Sequence, residues 1–266
     1  MSLSQEQKRG VFESGTVKEV KQFLKETPTW DVNEVLDRYG YTALHLACLY
    51  GRHESVSVLL THPQINVNHV NMYGSTPFRF GCGCYNGNVE VVNVLLRDSR
   101  VDINLPANDG CTPLWIASRW GRVEAIRWII ASGREIDLDT KGVIWDGIQY
   151  TAIEIAREMN KTAVVSLLER FTRDQAQTRH EICVELGLVD AFSAELFAAT
   201  VFLCDDYLRI RGAESKSEVA RFFRIASRLP MELQMMICHR VYGSAKENIP
   251  SKNSEPAFKN LAKTCV

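Results

Sequence analysis

The segment YTALHLACLYG at residues 41–51 decides the fold, because variants of it recur at a regular interval along the chain. The variants are STPFRFGCGCYNG at residues 75–87, CTPLWIASRWG at 111–121 and YTAIEIAREMN at 150–160. Their threonines, at positions 42, 76, 112 and 151, are 34, 36 and 39 residues apart. A period of this size predicts a solenoid, in which similar supersecondary units stack side by side.

Each copy carries the signals for a short helix followed by a second one. Threonine before Pro or Ala is a favourable N-cap, and Pro77 and Pro113 fall at the first helical position, where no N–H is needed. Gly51, Gly87 and Gly121 predict the end of the first helix. The stretches SVSVLL, VEVVNVLL, VEAIRWII and AVVSLL then have the apolar spacing of a second helix with one buried face. Because one helix pair cannot bury that face alone, the pairs are expected to stack.

The recurring pattern T-[AP]-L-[HW]-x-A, followed by Gly and a V-x-x-L-L helix, resembles the ankyrin repeat. The resemblance covers roughly residues 10–170 and implies an all-α solenoid of helix pairs with β-turn fingers and a concave face. We therefore expect an ankyrin-repeat array over residues 1–170. It would contain about four repeats after a partial N-terminal one, in which Gly15–Leu24 supply the second helix alone.

Two repeats depart from the pattern. In the second repeat, RFGCGC contains two more residues than the pattern has, which predicts a bulged or shifted first helix near Gly81–Gly83. In the last repeat, Gln149 stands where the turn glycine is expected and Asn160 where the helix-ending glycine is expected. An unusually long link, residues 134–147, precedes that repeat. These changes indicate a terminal repeat that meets another surface.

The resemblance also implies where a partner protein would bind, namely at the finger tips and at the exposed ends of the first helices. The matching positions are Arg38, Tyr39, Tyr41, Leu49, Tyr50, Met72, Tyr73, Tyr85, Asn108, Asp109, Arg119, Trp120 and Tyr150, with Ser75, Asn86, Cys111, Ile148, Glu158 and Met159 beside them. Six of the eight tyrosines in the chain are in this set, and Tyr, Trp and Arg dominate binding hot spots. The alternative is that these tyrosines pack against one another and against the C-terminal domain.

Composition and charge disfavour several classes of protein. The chain has 266 residues, with 31 Lys and Arg against 32 Asp and Glu, a net charge of −1. This balance disfavours a nucleic-acid binder and a polybasic membrane-surface protein. Apolar runs are too short to span a bilayer, and MSLSQEQKRG lacks the apolar core of a secretory signal. We therefore expect no membrane association and a cytoplasmic or nuclear location.

Signals for catalysis and metal binding are weak. The sequence has no GxGxxG, GxxxxGK[ST], HExxH or GxSxG pattern, so we expect neither an enzyme nor a cofactor. His45 in the TALH segment is typical of a structural histidine, and Cys82 and Cys84 lack a second ligand pair at zinc spacing, so no metal site is expected. An enzyme would need a cysteine and a histidine brought together in space, for instance Cys204 or Cys238 with His239 or His180.

Beyond residue 170 the chain has no tryptophan and little glycine, which predicts a separate all-helical domain over residues 171–266. Five helices are expected, at about residues 174–187, 193–211, 217–229, 231–242 and 254–264. The stretch LPMELQMMI at residues 229–237 resembles the opening of an F-box, which implies adaptor docking through Leu229, Pro230, Leu233 and Ile237. The alternative is a family-specific helical cap that covers the end of the solenoid.

The sequence therefore favours a non-enzymatic protein–protein interaction module that binds another protein through the concave face of the repeats. The alternative function is that of a substrate receptor of a ubiquitin ligase, in which the repeats select the client and the F-box-like segment docks the ligase adaptor.

Overall fold

The computed structural model of the chain describes residues 4–83, 89–144 and 147–204, together with residues 226, 231, 234–235, 237–238, 254 and 256–257. The chain divides into two compact units, Met1–Gln175 and Ala176–Val266. Where the structure describes them, the elements are twelve helices and one two-stranded sheet. None of these helices combines the length and the apolar character that crossing a bilayer requires.

The first unit is a stack of helix pairs. The pairs are α1 (Gln5–Glu13) with α2 (Val17–Glu26), α3 (Ala43–Leu49) with α4 (His53–Leu60), α5 (Pro77–Gly83) with α6 (Val89–Leu96), α7 (Pro113–Arg119) with α8 (Val123–Ala131), and α9 (Ala152–Glu158) with α10 (Thr162–Arg173). The first helices of successive pairs pack on one another, and so do the second helices, which gives two layers. The predicted all-α solenoid is confirmed.

The helix ends follow the sequence signals. Thr112 and Thr151 are N-caps whose side chains accept hydrogen bonds from the backbone of the first turn. Gly51 and Gly121 adopt positive φ angles of 71° and 68° after the first helices. In the last repeat Asn160 takes this role with φ 54°, since asparagine tolerates the left-handed region better than most residues.

The N-terminal repeat has both helices, so the expectation of a single helix there was wrong. Helix α1 begins with a capping box in which Ser4 and Gln7 bond each other's backbone N–H groups. Phe12 on α1 is fully buried, and its ring lies 5.6 Å from the rings of both Phe23 and Trp30. The sequence did not predict this helix because it lacks the Thr-Pro or Thr-Ala start and fully buries only Phe12.

The predicted bulge in the second repeat was also wrong at the residues where it was placed. Helix α5 is continuous from Pro77 to Gly83. A Cβ atom on Gly81 would lie 3.1 Å from a side-chain carbon of Val91, and one on Gly83 would lie 3.1 Å from a side-chain carbon of Ile116. The two glycines therefore allow α5 to pack closely against α6 and α7. Residues 84–88, including Cys84 and Gly87, lie outside the described part of the chain.

The fingers between the helix pairs are joined into one row by backbone hydrogen bonds. Met72 N donates to Tyr39 O, Asn108 N to Tyr73 O, and Val143 N to Asp109 O, each at 3.0 Å. The last finger is a two-stranded antiparallel sheet of β1 (Gly142–Val143) and β2 (Gln149–Tyr150). Its turn glycine is Gly147, with φ 73°, so the finger is longer and Gln149 is a strand residue.

A second set of links is a ladder of asparagine side chains on the segments that precede the fingers. Asn33 Nδ2 donates to Gln64 O at 2.8 Å, and its Oδ1 accepts from Asn66 N at 2.7 Å. Asn68 and Asn104 bond the following segment in the same way. Each amide thus satisfies one carbonyl and one N–H of the next repeat, which fixes the spacing of the stack.

In the second unit the structure describes α11 (Gln175–Glu185) and α12 (Val189–Cys204). They correspond to the helices expected at about 174–187 and 193–211, although α12 begins earlier and the chain from residue 205 to 225 is outside the described part. Five buried side chains, Ala194, Phe197, Ala198, Cys238 and Ala257, form a core cluster of this unit. The helices expected at 217–229, 231–242 and 254–264 lie largely outside the described residues.

Candidate functional site

In the described part of the array, large apolar side chains are exposed only near the fingers and at the ends of first helices. In residues 4–175, as far as the structure describes them, those exposed are Val35, Tyr50, Val70, Met72, Tyr73, Trp120 and Ile148, with exposed fractions of 38% to 57%. Tyr50 and Trp120 are the C-caps of the first helices α3 and α7, and the other five lie on fingers or on the segments that enter them. The described second helices expose none, so the apolar surface coincides with the side that the sequence indicated.

We call residues 36–52, 71–83 and 107–122 the finger side, since they contain three fingers and the first helices that follow them. The second-helix layer is α4, α6 and α8. The finger side carries five arginines and two aspartates, a net charge of +3. The second-helix layer carries three glutamates and one arginine, a net charge of −2. In a chain of net charge −1, the three segments that expose Tyr50, Met72, Tyr73 and Trp120 are therefore cationic.

Aromatic rings form a row across the first two fingers. The rings of Tyr39 and Tyr73 are stacked, with centroids 6.4 Å apart and planes 23° apart. Tyr39 also contacts Tyr41, and Tyr41 meets the edge of Phe80 at 5.3 Å. Burial raises the pKa of the half-buried Tyr41, while Tyr73 is half exposed. The row thus uses Tyr41 for internal packing and presents Tyr73 to the solvent.

Two arginines of the finger side lie over aromatic rings. The Arg38 guanidinium is 4.8 Å from the centre of the Tyr39 ring, and its Nη2 donates to Tyr39 Oη at 2.6 Å. The Arg119 guanidinium is 5.3 Å from the Trp120 ring and 5.8 Å from the Trp115 ring. Such contacts hold a long side chain in place, so less entropy is lost when it binds a further group.

A third arginine ties one finger to the next. Arg79 Nη2 donates to Asp109 Oδ2 at 3.1 Å, and Nη1 donates to Ser75 Oγ at 2.8 Å. Asp109 Oδ1 also accepts from Cys111 N and so stabilises the turn of its own finger. This network keeps the middle of the finger side rigid. Asp109 therefore has a structural role besides its predicted place in the binding surface.

The remaining predicted residues occupy different environments. Leu49 and Tyr150 are half-buried, and Tyr150 O accepts from Trp115 Nε1 at 2.8 Å. Asn108 is exposed, and its Nδ2 donates to Met72 O at 3.1 Å. Tyr85 and Asn86 lie outside the described part of the chain. Their roles in partner binding, like those of the rest of the set, stay predictions.

Val35 and Val70 belong to the exposed surface but were missed by the sequence reasoning. They lie outside the repeating Thr-Ala-Leu-His segment, and valine is not a typical hot-spot residue. A signal did exist, because each valine stands two residues after a ladder asparagine, Asn33 or Asn68. At the start of the second finger, Val70 and Met72 are exposed and Asn71 between them is buried. This alternation is expected for an extended segment with one covered face.

His45 is a structural side chain. It is fully buried, its Nδ1 accepts from Thr42 N at 3.2 Å, and its Nε2 bonds Ser75 O in the next finger at 3.0 Å. Burial lowers its pKa to about 4, so the ring is neutral at neutral pH. Both ring nitrogens are used by the fold, which leaves neither for catalysis or for a metal ion.

The thiols of Cys111 and Cys238 are unsuited to nucleophilic chemistry. Burial raises the pKa of Cys111 to about 12 and that of Cys238 to about 11, whereas a reactive cysteine needs a lowered pKa. Cys82 is buried, and His239 and Cys84 lie outside the described residues. Among the residues that the structure describes, no three or more His, Cys, Asp or Glu side chains are grouped to hold a metal ion.

The F-box-like segment is described only in part. Leu229, Pro230 and Leu233 lie outside the described residues, while Ile237 is half-buried and helical. Met231 is 57% exposed, and Cys238 is buried in the core cluster of the second unit. Adaptor docking through this segment stays a prediction.

Comparison with known proteins identifies the repeats. A family model for ankyrin repeats (3 copies) matches residues 11–71 and 80–178. The chain is 33% identical over 145 residues to the serine/threonine-protein kinase TNNI3K of Mus musculus. It is 35% identical over 102 residues to the SMC5-SMC6 complex localization factor protein 1 of Homo sapiens, and 33% identical over 98 residues to the putative ankyrin repeat protein YahD of Escherichia coli (strain K12).

These similarities cover only parts of the proteins compared. They include 53%, 38% and 36% of this chain, respectively. They include 17% of the kinase, 10% of the localization factor and 49% of YahD. What the chain has in common with these relatives is therefore a segment of each, and the kinase in particular is matched over a small fraction of its length.

Proposed function

Because the chain belongs to the ankyrin-repeat family, we propose that it is a non-enzymatic protein that binds a partner protein through the finger side of its array. Ankyrin repeats are protein–protein interaction modules. The finer claim concerns the surface used. It is supported by one observation above all: among the described residues of 4–175, the exposed large apolar side chains lie only on the fingers, on the segments that enter them and at the ends of the first helices.

The chemistry of this surface suits recognition. An exposed apolar patch on a folded protein marks an interaction site when polar residues surround it. Tyr50, Tyr73 and Trp120 offer large contact areas with few rotatable bonds to freeze. The backbone under them is fixed by the bonds between fingers and by the asparagine ladder. A partner would therefore meet a preformed surface and pay little ordering cost on this side of the interface.

The experiment is affinity purification of the full chain followed by mass spectrometry, with the double variant Tyr50→Ala/Trp120→Ala. Both side chains are C-caps that expose about two-fifths of their surface. We expect the specific partner to be lost while the melting temperature changes by a few degrees at most. Val184→Ala, which removes an exposed apolar side chain on α11, is the control and should retain the partner.

Two results would contradict the proposal. Retention of the partner by the double variant would show that binding uses another surface. A large loss of melting temperature in the double variant would show instead that Tyr50 and Trp120 serve internal packing.

A further inference from the structure

We propose that the finger side recognises an acidic, extended protein segment. Aromatic or aliphatic side chains of that segment would pack against the exposed side chains of Tyr73, Met72 and the neighbouring Val70. This inference rests on the proposed function and adds the chemistry of the partner to it. Three features of the finger side support it: its charge, the positions of its arginines, and the spacing of the Tyr39 and Tyr73 rings.

The charge favours carboxylates. Of the two aspartates on the finger side, Asp109 bonds Arg79 at 3.1 Å, and Asp37 lies 4.0 Å from Arg9 of α1. Both acids are thus engaged with arginines, and the net charge of +3 remains over the three repeats. A partner segment with several Asp or Glu residues would complement this field, whereas a basic segment would be repelled by it.

Two arginines of the finger side are held in place over aromatic rings. Arg38 lies over Tyr39, and Arg119 lies over Trp115 and Trp120. A planar guanidinium can bond a carboxylate with two parallel N–H groups while its face stays on a ring. Because Arg38 is on the first of these fingers and Arg119 is at the end of α7, a segment that contacts both must cross the three repeats.

The spacing of the rings favours an extended chain. The rings of Tyr39 and Tyr73 are 6.4 Å apart. In an extended segment, side chains on the same face are two residues apart, which corresponds to about 6.6 Å. Alternate side chains of the partner can therefore lie against neighbouring fingers, with Val70 and Met72 exposed beside them.

A protein segment fits this surface better than a single-stranded nucleic acid. A nucleic acid would also use cations and aromatic rings, but it gains nothing from exposed aliphatic side chains such as Val35, Val70 and Met72.

The test is selection of peptides from a random phage-displayed library on the full chain, with peptides long enough to span three fingers. We expect the selected peptides to be acidic and enriched in aromatic or aliphatic residues at alternate positions. The affinity of a synthetic copy is then measured by fluorescence anisotropy, with a labelled single-stranded RNA measured in parallel.

The decisive variant is Arg38→Gln/Arg119→Gln. We expect it to weaken binding of the acidic peptide about tenfold, because two exposed charge pairs are lost. The matched control is Arg97→Gln/Arg127→Gln, which removes the same charge from α8 and from the residue after α6. It should leave the affinity unchanged within about twofold, because these arginines lie away from the finger side.

The outcomes separate this inference from the proposed function. Selection of neutral or basic peptides that still need Tyr50 and Trp120 would overturn the acidic partner and leave the binding surface in place. Tighter binding of the RNA than of any peptide would overturn it in favour of a nucleic acid. Binding that survives both the arginine variant and the Tyr50→Ala/Trp120→Ala variant would overturn the inference and the proposed function together.

Discussion

The finger side and the second-helix layer come from the same repeats, yet their surfaces differ in almost every respect. The finger side is cationic and exposes Tyr50, Met72, Tyr73 and Trp120. The layer of α4, α6 and α8 is acidic, and its described residues expose no large apolar side chain. Both sides also contribute buried apolar residues to the core. The difference between their surfaces is what we expect if the finger side binds a partner.

Trp115 in α7 and Trp120 at its C-cap also differ in exposure. Trp115 is fully buried in α7, whereas Trp120, at the end of that helix, is 40% exposed. The Arg119 guanidinium lies near both indole rings. The first turn of α7 thus supplies a core side chain, and the C-cap of α7 supplies a surface one.

The largest effect on stability is expected when Trp115 and Trp120 are compared by substitution. Trp115→Ala should lower the free energy of unfolding by about 3–5 kcal/mol, because it leaves a cavity and removes the bond to Tyr150 O. Trp120→Ala should cost about 1 kcal/mol or less, because its side chain is partly in water already. Urea unfolding of the two variants measures both values. Equal costs would mean that Trp120 belongs to the core and that the contrast is unfounded.

The next effect concerns pH and the buried contact between repeats. The pKa of His45 is about 4 when folded, below its usual value of 6.5, because burial disfavours the charged ring. The unfolded chain therefore binds more protons as the pH falls below about 6.5, and stability is lost on acidification. Between pH 7 and pH 5 the loss should be about 2 kcal/mol.

Urea unfolding at several pH values, on the parent chain and on His45→Gln, measures this loss. The variant is less stable at pH 7, but its stability should change less over the same interval because the group that titrates is gone. Parallel pH profiles for the two proteins would contradict a role for His45.

A smaller effect is expected at the asparagine ladder. Asn68→Asp keeps the acceptor for Asp102 N but removes the donor to Arg100 O and sets a carboxylate against that carbonyl. The expected cost is about 1–3 kcal/mol of unfolding free energy. Asn93→Asp on α6, which is outside the ladder, introduces the same charge and should cost less than the ladder variant. If the two variants are equally stable, the ladder does not hold the repeats together.

The smallest effect on stability is expected at the apolar residues that the sequence reasoning missed. Val35→Ser combined with Val70→Ser should change the free energy of unfolding by about 1 kcal/mol or less, because both side chains are exposed. The same variant should weaken binding of the selected acidic peptide. A variant that binds normally would restrict the surface to the aromatic residues and the arginines.

Much of the fold was predictable because it depends on short-range signals that recur. Threonine caps and helix-ending glycines mark each helix pair, and their phase defines the stack. Helix α1 escaped prediction because its residues are mostly polar and its burial rests on Phe12 alone. Gly81 and Gly83 were misread because a glycine that allows close packing looks, in sequence, like one that breaks a helix.

The exposure of some residues in the candidate binding surface was predictable, although their roles in binding stay predictions. Alignment of the repeats located Tyr50, Met72, Tyr73 and Trp120, which the structure exposes. It could not separate them from Tyr41 and Tyr150, because whether a finger residue faces the solvent depends on the neighbouring repeat. The stacking of Arg38 and Arg119 on rings likewise arises from side-chain packing and has no sequence signal.

Hydrogen–deuterium exchange of the full chain, with and without a saturating selected peptide, shows which surface the peptide covers. We expect the peptide to slow exchange in the finger side, at residues 36–52, 71–83 and 107–122, and to leave α4, α6 and α8 unchanged. Protection centred on those three second helices, with none at the fingers, would contradict this expectation.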